Sequence, residues 1–286
     1  MTNLPSSVGV IGGGRMGAGI AQVFAQAGAS VTVIERDDTT VAQARARLDD
    51  GISKAAARDS AVDAGAVLER LDVSANHESL AAAELVIEAV PEVFALKVDA
   101  LVKAEQIIGE SAWLATNTSS LSLTGLAGRL QRPDRFCGLH FFNPVPPSAL
   151  VEIVLTSTTA PELRQHAVAW VKALGKIPII VNDAPGFASS RLGVAIALEA
   201  MRMLEEGVAS AEDIDTAMVL GYRHATGPLH TSDLVGLDVR LGIAEYLHET
   251  LGERFAPPQI LRDKVAAGEL GRKTGRGFFD YSTDAH

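Results

Sequence analysis

Three spaced glycines near the start of the chain constrain its fold more strongly than any other feature. Gly12, Gly14 and Gly17 have the spacing G-x-G-x-x-G. They follow the short apolar run Val8–Ile11 and open an amphipathic segment, Met16–Ala27. In such a turn the first glycine permits the sharp bend, the second lets the backbone approach a pyrophosphate, and the third lets strand and helix pack closely. The sequence therefore predicts a strand, turn and helix that either bind a dinucleotide or form only a tight turn.

An acidic residue at the end of the next apolar run favours dinucleotide binding. Glu35 stands 23 residues after Gly12 (35 − 12 = 23), where a carboxylate binds the ribose 2′-hydroxyl of NAD. The same carboxylate repels the 2′-phosphate of NADP, although Arg36 beside it could offset that repulsion. We therefore expect NAD as the cofactor and leave NADP open. The expected contacts at this turn are Gly12, Gly14, Arg15, Met16, Gly17 and Glu35.

Apolar runs and helical segments continue to alternate after this unit. A long segment from Thr39 to Leu71 and another from Phe94 to Ile108 have helical periodicity. The alternation is typical of a mainly parallel sheet with right-handed crossovers. We therefore predict an α/β, Rossmann-type, doubly wound domain over residues 1–184. Its further strands are expected at Ser30–Glu35, Leu85–Ala89, Trp113–Asn117, Phe136–His140, Leu150–Leu155 and Ile177–Val181.

The pattern changes near Asn182–Phe187, after which only helical periods remain. This change predicts an all-α C-terminal domain over residues 185–286, which is within the usual size range of a domain. Its helices are expected at Ala188–Glu206, Ala211–Leu220, Leu234–Leu251 and Pro258–Ala267.

The charge balance and the single cysteine narrow the possible partners and compartment. The chain has 25 Lys and Arg against 35 Asp and Glu, a formal charge of −10, so it has no general attraction for nucleic acid or an anionic membrane. Cys137 is the only cysteine, which rules out an internal disulfide and fits a reducing compartment. No apolar run has the length of a membrane span, and the N-terminus leaves no room for a signal peptide. We expect a cytoplasmic protein without a bound metal.

A histidine and a glutamate on neighbouring apolar runs form a candidate catalytic pair. His140 ends the run Phe136–His140, and Glu152 is the one carboxylate in Leu150–Leu155. An unpaired buried charge is costly, and the proline-rich turn Asn143–Pro147 can bring the glutamate back towards the imidazole. A carboxylate on one ring nitrogen fixes the tautomer, so the other nitrogen can act as a base. The pattern indicates either a proton-abstracting pair or a core histidine beside an incidental carboxylate.

These motifs, in this order, resemble the L-3-hydroxyacyl-CoA dehydrogenase family, which includes 3-hydroxybutyryl-CoA dehydrogenases. The likeness covers almost the whole chain, and many ordered motifs are more specific than any one of them. The segments that carry it are IGGGRMGAGIAQ (Ile11–Gln22), ATNTSSLS (Ala115–Ser122), GLHFFNPVP (Gly138–Pro146), LVEIV (Leu150–Val154), DAPGF (Asp183–Phe187), DLVGLD (Asp233–Asp238) and GRKTGRGFFDY (Gly271–Tyr281).

The resemblance implies an activity and roles for particular residues. It implies reversible, NAD-linked oxidation of a 3-hydroxyacyl-CoA to the 3-oxoacyl-CoA. The family's general base corresponds to His140, its orienting glutamate to Glu152, and the serine that binds the substrate oxygen to Ser119. The residues that resemble the family's cofactor contacts are Glu92, Lys97, Asn143 and Lys273, of which Asn143 is also expected near the substrate.

The resemblance also implies a helical domain that contributes to the substrate cleft and forms a homodimer. Apolar positions of the last helices agree with a dimer. These positions are Leu234, Leu237, Leu241 and Ala244. Lys54 and Arg58, in the helical segment after Glu35, are candidate contacts to the CoA phosphates or are solvated helix charges.

Two places depart from the family pattern. Ser190 stands where the family has an asparagine that helps to hold the substrate and the catalytic oxygen. A serine can donate one hydrogen bond but lacks the paired donor and acceptor of an amide, so the substitution is either tolerated or changes the grip on the substrate. The segment around His224 and His230 also differs. We expect both histidines at the surface, with the acyl pocket as the alternative.

Three functions remain possible from the sequence. The first is the dehydrogenase, with an acyl-CoA as its small-molecule substrate. The second keeps the fold but acts on a hydroxyacyl group carried by an acyl carrier protein, or on a free hydroxy acid. The third is a dinucleotide-binding protein without turnover, against which the presence of Ser119, His140 and Glu152 argues.

Overall fold

The computed structural model describes residues 4–282, and the chain separates into two compact units. One unit covers Met1–Asp183 and the other covers Ala184–His286. Among the described residues, no helix combines the length and the apolar character needed to cross a lipid bilayer.

The described part of the first unit is built on one sheet of eight strands. These are β1 Ser7–Ile11, β2 Ser30–Ile34, β3 Leu71–Ser74, β4 Leu85–Glu88, β5 Trp113–Thr116, β6 Phe136–Phe141, β7 Leu150–Leu155 and β8 Ile177–Asn182. Their order in space is β3-β2-β1-β4-β5-β6-β7-β8. The chain moves outward from β1 to β3, returns beside β1, and then moves the other way. In a doubly wound sheet of this order, the carboxyl ends of β1 and β4 form the crevice where ligands bind.

The sheet is parallel from β3 to β6 and then reverses once. Strand β7 runs antiparallel to β6, and β8 runs parallel to β7. The reversal follows from the short connection after β6, since a parallel return would need a crossover of a dozen or more residues. The predicted α/β, Rossmann-type and mainly parallel sheet is confirmed.

Six α-helices accompany this sheet in the described part of the unit. They are α1 Arg15–Gln26, α2 Asp38–Arg58, α3 Ala64–Leu68, α4 Phe94–Ile107, α5 Leu123–Ala127 and α6 Pro161–Ala173. The central strands are largely apolar, as expected for a sheet that helices cover on both faces. Val10, Val33 and Ile87 are fully buried, and Phe24 of α1 packs into the same core.

The expected single helix from Thr39 to Leu71 is wrong. Helix α2 ends at Arg58, where Asp59 adopts an extended backbone, and Asp63 then caps the short α3 by accepting from the Ala66 N–H at 3.0 Å. The chain continues into β3, a short edge strand that the sequence did not predict. The alanine-rich composition concealed the break, because alanine favours helix without marking where it stops.

The second unit is helical, as predicted. Its described α-helices are α7 Ser189–Glu205, α8 Ala211–Thr216, α9 Pro228–Val235, α10 Leu237–Leu251 and α11 Gln259–Ala266. Its core is apolar and includes residues of α7, α9 and α10 that are at most 1% exposed. Among these are Leu198, Met201, Leu229 and Leu247.

Two expectations for this unit need correction. The predicted helix Leu234–Leu251 is interrupted at Gly236, whose φ of 105° is a conformation that favours glycine and separates α9 from α10. The apolar face expected to form a dimer is largely internal, since Leu237 and Ala244 are fully buried in the unit's own core. Leu234 is 43% exposed and Leu241 is half-buried.

Candidate active site

The glycine turn has the geometry that a bound pyrophosphate requires. Gly12 has a φ of 95°, and a Cβ added at Gly17 would overlap the carbonyl oxygen of Gly12. Both positions are therefore restricted to glycine. A Cβ at Gly14 would meet nothing within 4 Å, and this residue precedes α1 without a side-chain cap. The open space lies in front of the backbone N–H groups and the positive end of α1, which fits a phosphate.

Glu35 lies at the carboxyl end of β2 and borders the same turn. Its Oε1 accepts from the Gly13 N–H at 2.7 Å, so the carboxylate is held beside the glycines. The side chain of Arg36 is 81% exposed, and its Nε lies 3.1 Å from Asp37. Arg36 therefore forms an exposed ion pair with its neighbour, and such a pair is weak.

A cavity of about 520 Å³ opens beside this turn, between α1, α2 and the segment after β6. Arg15, Lys54, Arg58 and Asn143 line it together, so four residues singled out in the sequence converge on one space. Arg47 lines it as well, and its Nη1 approaches the Gly13 carbonyl at 3.4 Å. The sequence reading missed Arg47, although its spacing from Lys54 and Arg58 places all three on one face of α2. The cavity is basic, with Asp50 as its acidic residue.

Glu88, Lys97 and Thr116 form a buried polar cluster beneath the carboxyl ends of β4 and β5. The Lys97 Nζ donates to Glu88 Oε1 at 2.8 Å, and the two side chains are 1% and 0% exposed. Thr116 donates to the other carboxylate oxygen at 2.6 Å, and the Val90 N–H donates to Oε1 at 2.6 Å. Each charge is thus paired and hydrogen-bonded, which a buried ion pair requires. Lys97 lies inside this cluster rather than in open space.

Glu92 organises the loop that carries Ser119. Its Oε1 accepts from the Ser119 N–H at 2.9 Å, the Ser120 N–H at 3.1 Å and the Thr118 hydroxyl at 2.5 Å. Burial raises the pKa of the Glu92 carboxyl, but the Lys97 charge and these donors outweigh burial and hold it below its ordinary value. Lys97 Nζ lies 3.3 Å from the other oxygen of Glu92. One carboxylate therefore links α4 to the Ser119 loop.

His140 and Glu152 are brought together by the strand reversal. They are directly opposite each other in the register of β6 and β7, where facing side chains are close neighbours. His140 Nδ1 lies 2.7 Å from Glu152 Oε2, and the residues are 5% and 0% exposed. Phe142 packs against the imidazole with ring centroids 4.6 Å apart. The contact fixes the ring orientation and favours the tautomer that carries hydrogen on Nδ1.

The loop after β5 is tied to the strand that carries the histidine. Asn117 Oδ1 accepts from the Phe141 N–H at 2.9 Å, and both residues are buried. Strands β5 and β6 are parallel neighbours, with Thr116 opposite Gly138, so Ser119, which follows β5, and His140, near the end of β6, lie at the same edge of the sheet. Asn117 was not predicted as a site residue. Its position directly after a buried strand could have indicated this role, because ligand sites in such sheets lie beyond the carboxyl ends of the strands.

The remaining expected site residues lie in the helical unit. Ser190 is half-buried in the first turn of α7, and Lys273 Nζ pairs with Asp238 at 2.5 Å. The expected surface position of His230 is wrong, because this residue is half-buried. Its ring lies between the rings of Phe279 and Tyr281, and its Nδ1 is 3.3 Å from the Tyr281 hydroxyl. His224 is also half-buried.

Cys137 has no place in the chemistry of this site. It is fully buried in β6, and burial raises the pKa of its thiol to about 12. A thiol of this kind does not ionise near neutral pH and acts as a small apolar residue.

Comparison with known proteins identifies the family. A family model described as "3-hydroxyacyl-CoA dehydrogenase, NAD binding domain" matches residues 7–184, and "3-hydroxyacyl-CoA dehydrogenase, C-terminal domain" matches residues 186–281. The chain is 40% identical over 275 residues to the probable 3-hydroxybutyryl-CoA dehydrogenase of Deinococcus radiodurans, covering 96% of this chain and 99% of the relative.

Solved structures agree with this family. The crystal structure of FadB2 from M. tuberculosis has a TM-score of 0.93 and 38% identity, and the match covers 97% of this chain and 99% of FadB2. The (S)-3-hydroxybutyryl-CoA dehydrogenase PaaH1 of Ralstonia eutropha has a TM-score of 0.91 and 40% identity, with the same coverage of 97% and 99%. The chain therefore belongs to the 3-hydroxyacyl-CoA dehydrogenase family of NAD-dependent oxidoreductases.

Proposed function

We propose that this enzyme catalyses the reversible, NAD-linked oxidation of an L-3-hydroxyacyl-CoA to the 3-oxoacyl-CoA. The observation that carries the proposal is the buried contact of 2.7 Å between His140 Nδ1 and Glu152 Oε2, at the sheet edge where the glycine turn also lies. Oxidising a secondary alcohol needs a base for the hydroxyl proton while hydride leaves the carbon. The imidazole is the base, and in the reverse direction the imidazolium returns the proton to the forming alkoxide.

Glu152 acts on the reaction through His140. It holds hydrogen on Nδ1, so proton exchange with the substrate takes place at Nε2. Its negative charge also stabilises the imidazolium that forms when the proton arrives. Because the carboxylate is fully buried, it acts in a medium of low effective dielectric, where a charge has a larger effect than in water.

Ser119 and Ser190 are assigned to the substrate oxygen. A hydroxyl can donate a hydrogen bond to the oxyanion that develops as hydride moves. Glu92 supports Ser119 in this role by fixing the backbone of its loop through the Ser119 and Ser120 N–H groups. Ser190 supplies one hydroxyl where an amide would offer both a donor and an acceptor.

NAD is assigned to the crevice in front of the glycine turn, where it supplies the hydride acceptor when bound. Gly12, Gly14 and Gly17 shape the turn, and α1 offers its N–H groups to the pyrophosphate. Glu35 is positioned to accept from the adenosine ribose hydroxyls. The other residues assigned to the cofactor are Arg15, Met16, Glu92, Lys97, Asn143 and Lys273. Of these, Lys97 acts on the cofactor site through Glu88 and Glu92, because its Nζ lies 2.8 Å from Glu88 and 3.3 Å from Glu92.

The basic cavity is assigned to the phosphates of CoA. Lys54, Arg58 and Arg47 lie on one face of α2, and Arg15 faces them from α1. The chain as a whole is acidic, with a formal charge of −10, so a phosphate-bearing ligand needs such a local cluster. Lys54 also lies 2.7 Å from Asp50, a pair that is mostly exposed and therefore weak.

Oxidation of NADH with acetoacetyl-CoA, beside longer 3-oxoacyl-CoAs, tests the proposed function. We expect turnover with these thioesters, followed as loss of absorbance at the NADH band. The same assay with an acetoacetyl group on acyl carrier protein, and with free acetoacetate, separates the alternative substrates. Turnover confined to the carrier-protein thioester or to the free acid would contradict the CoA assignment. Absence of turnover with the whole panel would favour a non-catalytic dinucleotide-binding protein.

Cofactor preference follows from Glu35 and Arg36. We expect kcat/KM to be about 10- to 100-fold higher with NADH than with NADPH, because the Glu35 carboxylate repels a 2′-phosphate. Steady-state kinetics with both cofactors measure this ratio. Glu35→Gln should narrow this NADH-to-NADPH ratio, because it removes the carboxylate that repels the 2′-phosphate, whereas Arg36→Gln should not narrow it, because it removes only a cation. A higher kcat/KM with NADPH would show that the assignment is wrong.

A homodimer formed by the helical unit and a cytoplasmic location complete the proposal. Several large apolar side chains of this unit are exposed, including Leu192 at 64%, Leu220 at 76% and Val239 at 45%, and such surfaces mark interaction sites when they are contiguous. Light scattering at micromolar concentration distinguishes the dimer from a monomer. The single, buried cysteine supports a reducing compartment such as the cytoplasm.

A further inference from the structure

The helical unit buries a cation for which the described residues supply no counter-charge. Arg240 lies on the inner face of α10, in line with Leu237 and Ala244, and is 7% exposed. Within residues 4–282 its Nε has no hydrogen-bond partner, and the guanidinium forms no ion pair. Burial lowers the pKa of Arg240 to about 10, and no carboxylate among residues 4–282 opposes that effect. A buried charge without a partner is costly, so it calls for an explanation.

The helix that faces this guanidinium has a gap beside it. Helices α7 and α10 pack against each other, and Gly193 of α7 is the residue opposite Arg240. A Cβ added at Gly193 would meet one group within 4 Å, the Arg240 Nη1 at 3.5 Å. Apart from the neighbouring residues and backbone of α7, Arg240 is therefore the described residue that comes within 4 Å of a side chain placed at Gly193.

The gap lies one helical turn from a proposed substrate contact. Gly193 follows Ser190 by three residues on α7, and residues three apart on a helix have Cβ atoms about 5–6 Å apart on one face. Ser190 is the residue of α7 proposed to contact the substrate oxygen. A group on the same substrate, a few methylenes further along, would reach the level of Gly193 and Arg240.

We propose that Arg240 binds a carboxylate at the far end of the substrate, so that the preferred acyl group is one with a terminal carboxylate. A planar guanidinium matches a carboxylate with two parallel N–H···O bonds, and this geometry suits buried recognition. An apolar acyl end would leave the cation uncompensated. The inference rests on the proposed function, because the proposed contact of Ser190 with the substrate oxygen fixes the position from which the acyl chain extends. The carboxylate can belong to a CoA thioester or to a free hydroxy dicarboxylic acid.

Two matched thioesters test the inference. 3-Hydroxyadipyl-CoA and 3-hydroxyhexanoyl-CoA have acyl chains of equal length, which end in a carboxylate and a methyl group respectively. We expect kcat/KM, from initial rates of NAD⁺ reduction, to be about 10- to 100-fold higher for the adipyl thioester, the range for a hydrogen bond to a charged group. Free 3-hydroxyadipate, as a third substrate, distinguishes the source of the carboxylate. Turnover of this free acid alone would support the carboxylate site at Arg240 but would show that the substrate is not a CoA thioester.

Variants at Arg240 link the preference to this residue. In Arg240→Met the adipyl-to-hexanoyl ratio of kcat/KM should fall about 10- to 100-fold, and in Arg240→Lys, which keeps the charge but loses the fork, it should fall less. An apolar side chain of similar size in place of a buried charge is usually tolerated, so the methionine variant should fold. Both substrates are measured on one preparation, so a partial loss of folded enzyme cancels in the ratio.

Distinct results separate failure of the inference from failure of the proposed function. Turnover of the hexanoyl thioester with equal or better kcat/KM in the wild type overturns the inference alone. If the adipyl-to-hexanoyl ratio of kcat/KM is unchanged in Arg240→Met while light scattering shows a changed mass, Arg240 contacts a second copy of the chain. This result also overturns the inference. Lack of turnover with all three substrates overturns the proposed function and the inference with it.

Discussion

Replacing His140 with glutamine is expected to lower kcat about 10³- to 10⁴-fold while the affinity for NADH stays within a few-fold of wild type. General acid–base catalysis by one positioned group contributes up to about 10⁴-fold, and an amide cannot take up the proton. The pair lies on β6 and β7, and β6 is separated from β1, which leads into the glycine turn, by β4 and β5, so the contacts of that turn are not removed. Steady-state turnover of acetoacetyl-CoA and NADH binding by fluorescence titration measure the two quantities.

Glu152→Gln and a control on another histidine sharpen this test. The glutamine keeps the size of the side chain and an oxygen near Nδ1 but loses the charge that stabilises the imidazolium, so kcat should fall by about 10²-fold or more. His166→Gln removes an exposed histidine on α6 and should leave turnover near wild type. Near-wild-type turnover in His140→Gln or in Glu152→Gln would show that the pair is a structural contact.

Replacing Lys97 with methionine is expected to destabilise the first unit by about 3–5 kcal/mol. The substitution leaves Glu88, which is 0% exposed, without its cation, and breaking a buried ion pair from one side costs about this much. It also removes the cation 3.3 Å from Glu92, which holds the Ser119 loop. Thermal unfolding followed by circular dichroism should show a lower transition for this unit, and KM for the substrate should rise as the loop loosens.

Two further variants isolate the charge from the loss of the side chain. Lys103→Met lies on the same helix but is exposed, and should change the unfolding transition little. Glu88→Gln combined with Lys97→Met neutralises both partners, keeps a carbonyl oxygen that can accept from the Val90 N–H, and places an amide N–H that can donate to the Thr116 hydroxyl. We expect this pair to recover part of the lost stability. A Lys97→Met transition equal to that of the Lys103→Met control would contradict the structural role given to Lys97.

The parts of the fold that the sequence predicted well are those with one dominant physical cause. Strands such as Leu85–Glu88 and Leu150–Leu155 are buried on both faces, so their apolar runs stand out. The edge strand Leu71–Ser74 pairs with β2 and buries mainly Val73, so its sequence has no apolar run or alternation that predicts a strand. The break near Gly236 depends on a backbone conformation that a periodic apolar pattern conceals.

The candidate site was predictable where a local motif carries the information. The glycine spacing and the turn before Glu152 specify contacts within short stretches of chain. The contacts of Glu92 with the Ser119 loop join residues 27 positions apart and follow from the packing of β4 beside β5. Arg240 follows the DLVGLD segment by only two residues, but its burial and the unpaired Nε, within residues 4–282, are properties of the packed helices that this motif does not show.

The cross-strand pairing of His140 and Glu152 has a consequence for how this enzyme can diversify. Their separation is set by the hydrogen-bond ladder between β6 and β7, not by the segment that joins the two strands. That segment, residues 142–149, borders the basic cavity. Insertions or replacements there can reshape what the enzyme admits while the proton-transfer pair keeps its geometry. The strand reversal thus uncouples the evolution of substrate range from the chemistry that acts on every substrate.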